Sequence, residues 1–215
     1  MWQWDYAASL IPQLLVGLGY TVLIAVTTQV ITLVIAWAWV LGQKTPSKLF
    51  NGATWLLLEF IRNTPPLIQL YFVYFALPSW GVKLGPIECG VVVLSIHFST
   101  FTSEIYRAGL SAIPRGQWEA AHVLGLSRWR TWRAIIGPQV LREALPPLMN
   151  QLISTYKETG ILFSIGVPVL VAVAMLEAGK TFRFFEPFTL AALLYVLVSW
   201  ISTKLARKFE AKYAR

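Results

Sequence analysis

Between Leu14 and Leu41 the chain runs for 28 residues without one charged side chain. A helix that is apolar on every side belongs in a core or a bilayer, not on a protein surface. At 1.5 Å per residue the run is ~40 Å long, enough to cross a hydrocarbon core of ~30 Å with tilt. Comparable stretches recur at about 52–77, 87–110, 140–160 and 188–206, the second of them interrupted by Arg62-Asn63-Thr64-Pro65-Pro66. A shorter apolar piece, 161–176, fits a crossing, a re-entrant segment or a helix on the outer face. The pattern predicts an all-α integral membrane protein of about five transmembrane helices, with residues 1–215 forming one domain. Composition agrees, since a soluble domain of this length does not hide a chain that is 56% hydrophobic and 13% charged.

Basic residues give the orientation. Lys44, Lys48, Arg107, Arg115, Arg128, Arg130, Arg133, Arg142, Lys204, Arg207, Lys208, Lys212 and Arg215 fall on one side of the predicted spans, thirteen in all. Lys83, Lys180 and Arg183 fall on the other. Short loops with that imbalance put the thirteen-residue side in the cytoplasm and the N-terminus outside. The net charge of +8 is therefore read as topology with membrane lipid as its partner, not as a nucleic-acid footprint. Met1–Gln13 has no Lys or Arg and precedes too long an apolar run for a cleaved signal, so the first span is expected to stay. Trp37 and Trp39 near one face, and Trp2, Trp4 and Trp80 near the other, suit aromatic belts. Cys89 is the single cysteine, which excludes an intrachain disulfide and a cysteine metal cluster and suits passive packing.

The longest stretch that cannot cross a membrane is residues 114–138, with spans on both sides. After Pro114, Gly116-Gln117-Trp118-Glu119-Ala120-Ala121 favours a short helix, and Gly125 stands where a left-handed cap ends one. Ser127 suits the N-cap of a second short helix, and Pro138 marks the change into the next span. There is no nucleophile with its base, no metal spacing and no phosphate-cradling glycine loop here. What remains is a rigid, exposed helix. Ala120 and Ala121 permit close approach by another surface, and Trp118, Trp129 and Trp132 supply apolar anchors. An amphipathic loop lying on the bilayer is the alternative, which Arg128, Arg130 and Arg133 also suit.

Glu119-Ala120-Ala121, the Gly125 that follows and the Ile-rich segment ending at Pro138 together resemble the EAA loop of the membrane subunits of ABC importers. Gly116-Gln117, Pro138-Gln139, Leu145-Pro146-Pro147-Leu148 with Asn150, and Lys157-Glu158-Thr159 are similar to the polar amino-acid permease branch. Phe60-Ile61-Arg62-Asn63-Thr64-Pro65-Pro66-Leu67-Ile68-Gln69 resembles that branch's "FRGTPLLLQ" motif. The likeness covers about residues 14–210 and departs at Asn63, at Gly137 (a large aliphatic is usual) and at Glu158-Thr159-Gly160.

The resemblance implies the type I ABC importer permease fold, with Gly116, Gln117, Glu119, Ala120, Ala121, Gly125 and Pro138 forming the coupling element. It implies two ATPase subunits that hold ATP and magnesium, a second permease subunit (identical or sibling), and an extracytoplasmic solute-binding protein. The chain itself would bind no cofactor, hydrolyse nothing and lie in the bacterial inner membrane.

Polar residues inside the spans are the candidate pathway. Arg62 lies about ten residues into the second span, roughly 15 Å deep, where a charge is costly unless paired or facing water. Glu59 three residues earlier can neutralise it; alternatively Arg62 meets a substrate carboxylate. Pro65-Pro66 invites a helix break, and Gln69 would share the Arg62 face. In the third span His97, Thr100, Glu104 and Arg107 follow at offsets of three, four and three along one face. They read equally as a pathway wall or as interhelical hydrogen bonds with a Glu104–Arg107 pair; the isolated His97 is no metal site. The fourth span carries Asn150, Gln151, Ser154, Thr155, Lys157, Glu158 and Thr159. Lys157 and Glu158 point about 100° apart on a helix and cannot face one small ligand together. Glu158, with Gln151, is read as meeting a ligand's cationic group; a Lys157–Glu158 network at a helix end is the alternative.

The sequence thus predicts the permease subunit of an ATP-driven, binding-protein-dependent importer of polar amino acids or related zwitterions. A stand-alone secondary transporter or channel is the rival, and a structural or signalling membrane protein a further one. No internal repeat supports the inverted halves of a secondary transporter.

Overall fold

The computed structural model describes residues 2–213, and side-chain surroundings up to Phe209. Arg215, counted above among the basic residues, lies outside them. The described residues form nine α-helices joined by tighter and wider helical turns, with no strand among them. The first helix, α1 (Trp4–Gln43), is 40 residues long and begins ten residues before the predicted span. The second predicted span is several pieces: α2 (Lys48–Asn63), α3 (Pro66–Tyr71), a π turn at Phe72–Ala76 and a 3-10 turn at Leu77–Trp80. α4 (Pro86–Ser111) matches the third span to within a residue at each end.

In the 114–138 loop, α5 (Arg115–Val123) is the expected short helix. The expected second one, α6 (Arg128–Thr131), is not independent. It runs through a π turn at Trp132–Ile136 directly into α7 (Gly137–Glu158), so the loop's far half is the foot of the fourth span. Residues 161–176 divide: a 3-10 turn covers Thr159–Ile165, Gly166 takes a left-handed conformation at φ 82°, and α8 (Leu170–Thr181) follows at 46° to the helix before it. α9 (Phe185–Tyr213) closes the chain.

By length and hydropathy, α1 and the Phe185–Phe209 part of α9 each suffice to cross a membrane alone, and the bent α7–α8 pair passes together. α1 is the spine. Leu10, Leu14, Gly17, Thr21, Ile24, Thr28, Thr32, Ala36 and Val40 are buried along it at three- and four-residue spacing. Leu10 and Leu14 pack with Leu170, Ala174 and Ala191. Further down, Ile24 joins the buried Cys89, Val93, Leu94 and Leu162, so the lone cysteine is a packing residue. A Cβ at Gly17 would lie 3.1 Å from the Leu170 Cα, which is why glycine stands at this crossing.

Short polar side chains tie the helices, as is usual where no hydrophobic force separates lipid from protein. The Leu170 amide donates to Thr21 Oγ1 (2.9 Å), Thr32 Oγ1 donates to the Ser95 carbonyl and Ser95 Oγ to the Thr28 carbonyl (3.3 Å each). The Gln3 amide on Glu186 ties the start of α9 to that of α1, Thr155 Oγ1 donates to Gln29 Oε1 (3.5 Å) between α7 and α1, and Tyr156 packs on Tyr195 between α7 and α9. The Trp37 and Trp39 belt turns inward to α4: Trp37 stacks on Tyr106, and Trp39 Nε1 donates to Ser99 Oγ (2.8 Å).

Candidate functional site

Two regions hold the residues singled out above. The first is the loop helix. α5 ends in a full Schellman cap: the Leu126 amide bonds to the Ala121 carbonyl (3.1 Å) and the Gly125 amide to the His122 carbonyl (3.0 Å), with Gly125 at φ 64°. Ser127 Oγ then accepts from the Arg130 amide (3.3 Å), the N-cap expected of it. Trp118 meets Trp132 edge to face with ring centres 5.8 Å apart, fastening α5 to the foot of α7.

Pro138 has no amide hydrogen, which weakens the ladder where the π turn lies. Gln139 Nε2 donates to the Ile135 carbonyl (2.8 Å) there and reaches Gln117 Oε1 at 3.5 Å. The wide turn brings the Trp132 carbonyl so close to Gly137 that a Cβ would sit 2.7 Å from it. The unusual glycine at 137 therefore has a steric reason.

One expectation changes. Ala121 is 1% exposed and faces its own chain, so only Ala120 of the pair is open to another surface. Gly116, Gln117 and Glu119 are exposed with it. The outward apolar groups are Val123 and Leu124, with Trp129 on the next helix, all more than two-thirds exposed. Val123 and Leu124 are plain helix-end residues, and nothing in their type or spacing marked them.

The second region is a cavity of about 500 Å³ between α3, α4 and α7, lined by Pro66, His97, Phe98, Phe101, Asn150, Gln151, Ser154 and Glu158. It brings together three of the six candidate pathway residues: His97, Gln151 and Glu158. Asn150, Ser154 and Glu158 repeat every four residues, so α7 presents them on one face. Gln151 is largely committed elsewhere, its Nε2 donating to the Phe98 carbonyl (2.9 Å) and to Thr102 Oγ1 (2.6 Å), while Oε1 has no partner among the described residues. Glu158 makes no ion pair among the described residues, and Lys157 leaves α7 on another side, so no Lys157–Glu158 network forms.

Arg62 and Glu104 do not line this cavity. Arg62 donates to Glu104 Oε1 (3.0 Å), to Glu59 Oε1 (3.3 Å) and to the Thr100 carbonyl (2.5 Å). Glu104 in turn holds Arg107 at 3.0 Å. The expected Glu59–Arg62 and Glu104–Arg107 pairs are thus both present, joined through Arg62–Glu104 into one neutral quartet bridging α2 and α4. Glu104 also edges a second pocket of about 450 Å³, with Ala108 and Glu143, farther along the same α4–α7 seam.

Gln69 does not share a helix face with Arg62, because α2 stops at Asn63 and Thr64 is extended. Its Nε2 instead turns back to the Ile61 and Thr64 carbonyls (2.7 and 2.8 Å), which the break has left open, and lies 3.2 Å from His97 Nδ1. Phe98 and Phe101 were not anticipated as lining residues, since aromatic residues in a span read as lipid-facing.

The binding-protein-dependent transport system inner membrane component model matches residues 34–215. The chain belongs to that family. Its members include relatives at full length. The probable amino-acid ABC transporter permease protein YckA of Bacillus subtilis is 33% identical over 218 residues, covering 99% of this chain and 96% of its own. The glutamine transport system permease protein GlnP of Escherichia coli K12 is 32% identical over 214 residues and 98% of both chains. A chain of a solved amino acid ABC transporter with histidines superposes with TM-score 0.90 at 30% identity over 99% of both. A chain of the inward-facing MetNI methionine ABC transporter superposes at 0.70 with 16% identity, a likeness of fold. This chain is thus an all-helical inner-membrane permease component of a type I ABC importer, and not itself the ATPase.

Proposed function

We propose that this chain forms the pathway of an importer for polar amino acids or related zwitterions. Glu158, with Asn150 and Ser154 beside it, meets the cationic group of the ligand. In this reading the chain crosses the membrane five times as a single domain, with α8 a short helix on the outer side. The N-terminus lies outside and the Glu119 loop in the cytoplasm. A second permease chain completes the pathway, a solute-binding protein docks outside, and two ATPase subunits carrying ATP and magnesium sit beneath α5.

The observation that carries it is the cavity: a carboxylate with no ion pair among the described residues, beside a broken helix, on the seam that ends at the loop helix. The residues around it bind and orient; they break no bond. Motion reaches them mechanically. α5 is held to the foot of α7 by Trp118 on Trp132, and α7 is one continuous helix from there to Glu158. Tilting α5 by a closing ATPase dimer tilts the rod that carries Asn150, Ser154 and Glu158.

The test is uptake by the purified complex in proteoliposomes containing the binding protein and a radiolabelled amino acid. Uptake should appear with internal ATP and vanish without it. Full-rate uptake with the ATPase removed would overturn the proposal and favour a stand-alone transporter.

A further inference from the structure

On the other side of α7 lies a groove of about 570 Å³, formed with α8 and α9 and lined by Lys157, Val171, Tyr195, Ser199, Trp200 and Thr203. It is chemically unlike the cavity. Lys157 has neither an ion pair nor a hydrogen bond among the described residues, and no acidic side chain lines the groove. Ser199 Oγ is buried and has no hydrogen-bond partner among the described residues. At one end of the groove Lys204 Nζ stands 5.3 Å from the centre of the Trp200 ring, and Arg207 and Lys208 follow exposed on the next turn.

The depth can be read from α9. From Glu186 to Lys204 is roughly 27 Å of helix, close to the thickness of a bilayer's hydrocarbon core. Lys204 therefore marks the interface on the Glu119-loop side, with Thr203 beside it and Ser199 about 7 Å deeper along the helix. Tyr156 packs on Tyr195, which sets Lys157 deeper than Lys204. Side chains on α7 lean toward its N-terminus, so the Lys157 stem descends toward Ser199 and the Lys204 end. An uncompensated ammonium at this depth is costly, and an anion entering from the interface removes the cost.

The geometry points to a binding site for an anionic phospholipid of the Glu119-side leaflet. Its phosphate lies between Lys157 and Lys204, within reach of Ser199 Oγ, and an acyl chain lies against Val171, Val196 and Trp200. A carboxylate from a second copy of this chain is the other candidate anion, and the placement of the acids among the described residues disfavours it. Glu59 and Glu104 are held by Arg62, Glu177 by Lys180 and Glu186 by Arg183; Asp5 and Glu88 lie in the first turns of α1 and α4, Glu119 is in the loop, and Glu143 and Glu158 line the α4 side of α7. The outer surface of α9 is open and apolar, with Leu193, Val196, Leu197, Trp200 and Ile201 exposed, continuous with the groove wall.

The test is native mass spectrometry of the full chain, purified in the complex it forms, from micelles doped with equal phosphatidylglycerol and phosphatidylcholine. The wild type should retain phosphatidylglycerol about fivefold over phosphatidylcholine, the scale of one interfacial lysine contact, and Lys157→Gln should bring the two to parity with the subunit composition unchanged. Val196→Trp, which fills the groove from its exposed rim, should lower retention of both lipids and guards against a Lys157 variant that does not fold. Three results overturn the site: no preference in the wild type, loss of a second permease chain in Lys157→Gln, or displacement of the lipid by millimolar inorganic phosphate.

Discussion

Glu158 makes no ion pair among the described residues and shares its cavity with Asn150 and Ser154, and a single oxygen-to-nitrogen change tests its role. Glu158→Gln keeps the volume and removes the charge. Uptake in proteoliposomes should fall at least tenfold, about 1.4 kcal/mol of lost ligand interaction, while gel filtration shows an intact complex. Unchanged uptake removes Glu158 from the site. Gly137 makes a steric counterpart. With the Trp132 carbonyl 2.7 Å from where a Cβ would go, Gly137→Leu must open the π turn. The cost should be about 1–3 kcal/mol, the range for overpacking, read as a lower melting temperature of the detergent-purified complex. Sequence alone marked Gly137 only as a departure. The reason is a backbone carbonyl five residues away, which becomes a neighbour only once the turn widens.

Among the elements, the break between α2 and α3 was legible and its repair was not. Pro65-Pro66 announces that the helix cannot continue, because two amide hydrogens are missing. Which side chain satisfies the freed carbonyls depends on where α3 starts again, and that is a matter of tertiary packing. Gln69 occupies that place. Gln69→Leu leaves the Ile61 and Thr64 carbonyls open in a low-dielectric surrounding and removes a neighbour of His97. The variant should lose about 1–3 kcal/mol of stability, seen in thermal unfolding, with Gln69→Met as the volume control. A similar lesson attaches to α6. Ser127 and Pro138 bracket what reads as a separate helix, and both act as expected, yet the π turn welds that helix to α7. The bounds read for α4 came within a residue because it starts at Pro86, where hydropathy and helix signals change together, whereas α9 begins three residues before the predicted 188–206 and runs seven past it. The start of α1 was missed because hydropathy finds a bilayer's thickness, not a helix that projects beyond it.

For the whole molecule, the fold class was readable from long uncharged runs and the family from motif order, whereas the cavity was not. It depends on α4 and α7 meeting at His97, Phe98 and Glu158, positions some sixty residues apart. The orientation read from thirteen basic residues against three has its own measurement. A cysteine placed at Val123, in a variant carrying Cys89→Ala, should react with a membrane-impermeant maleimide only after cells are opened, and one at Phe182 before. Labelling of Val123→Cys in intact cells would reverse the topology.

The quartet of Glu59, Arg62, Glu104 and Arg107 has an electrical consequence. An elementary charge moved through 100 mV of membrane potential involves about 2.3 kcal/mol of work. Two acids and two bases bound into one unit sum to zero. If α2 and α4 shift together during a transport cycle, the voltage across the membrane does no net work on their polar cargo. The stroke of this quartet is then the same in an energised cell and in a depolarised one.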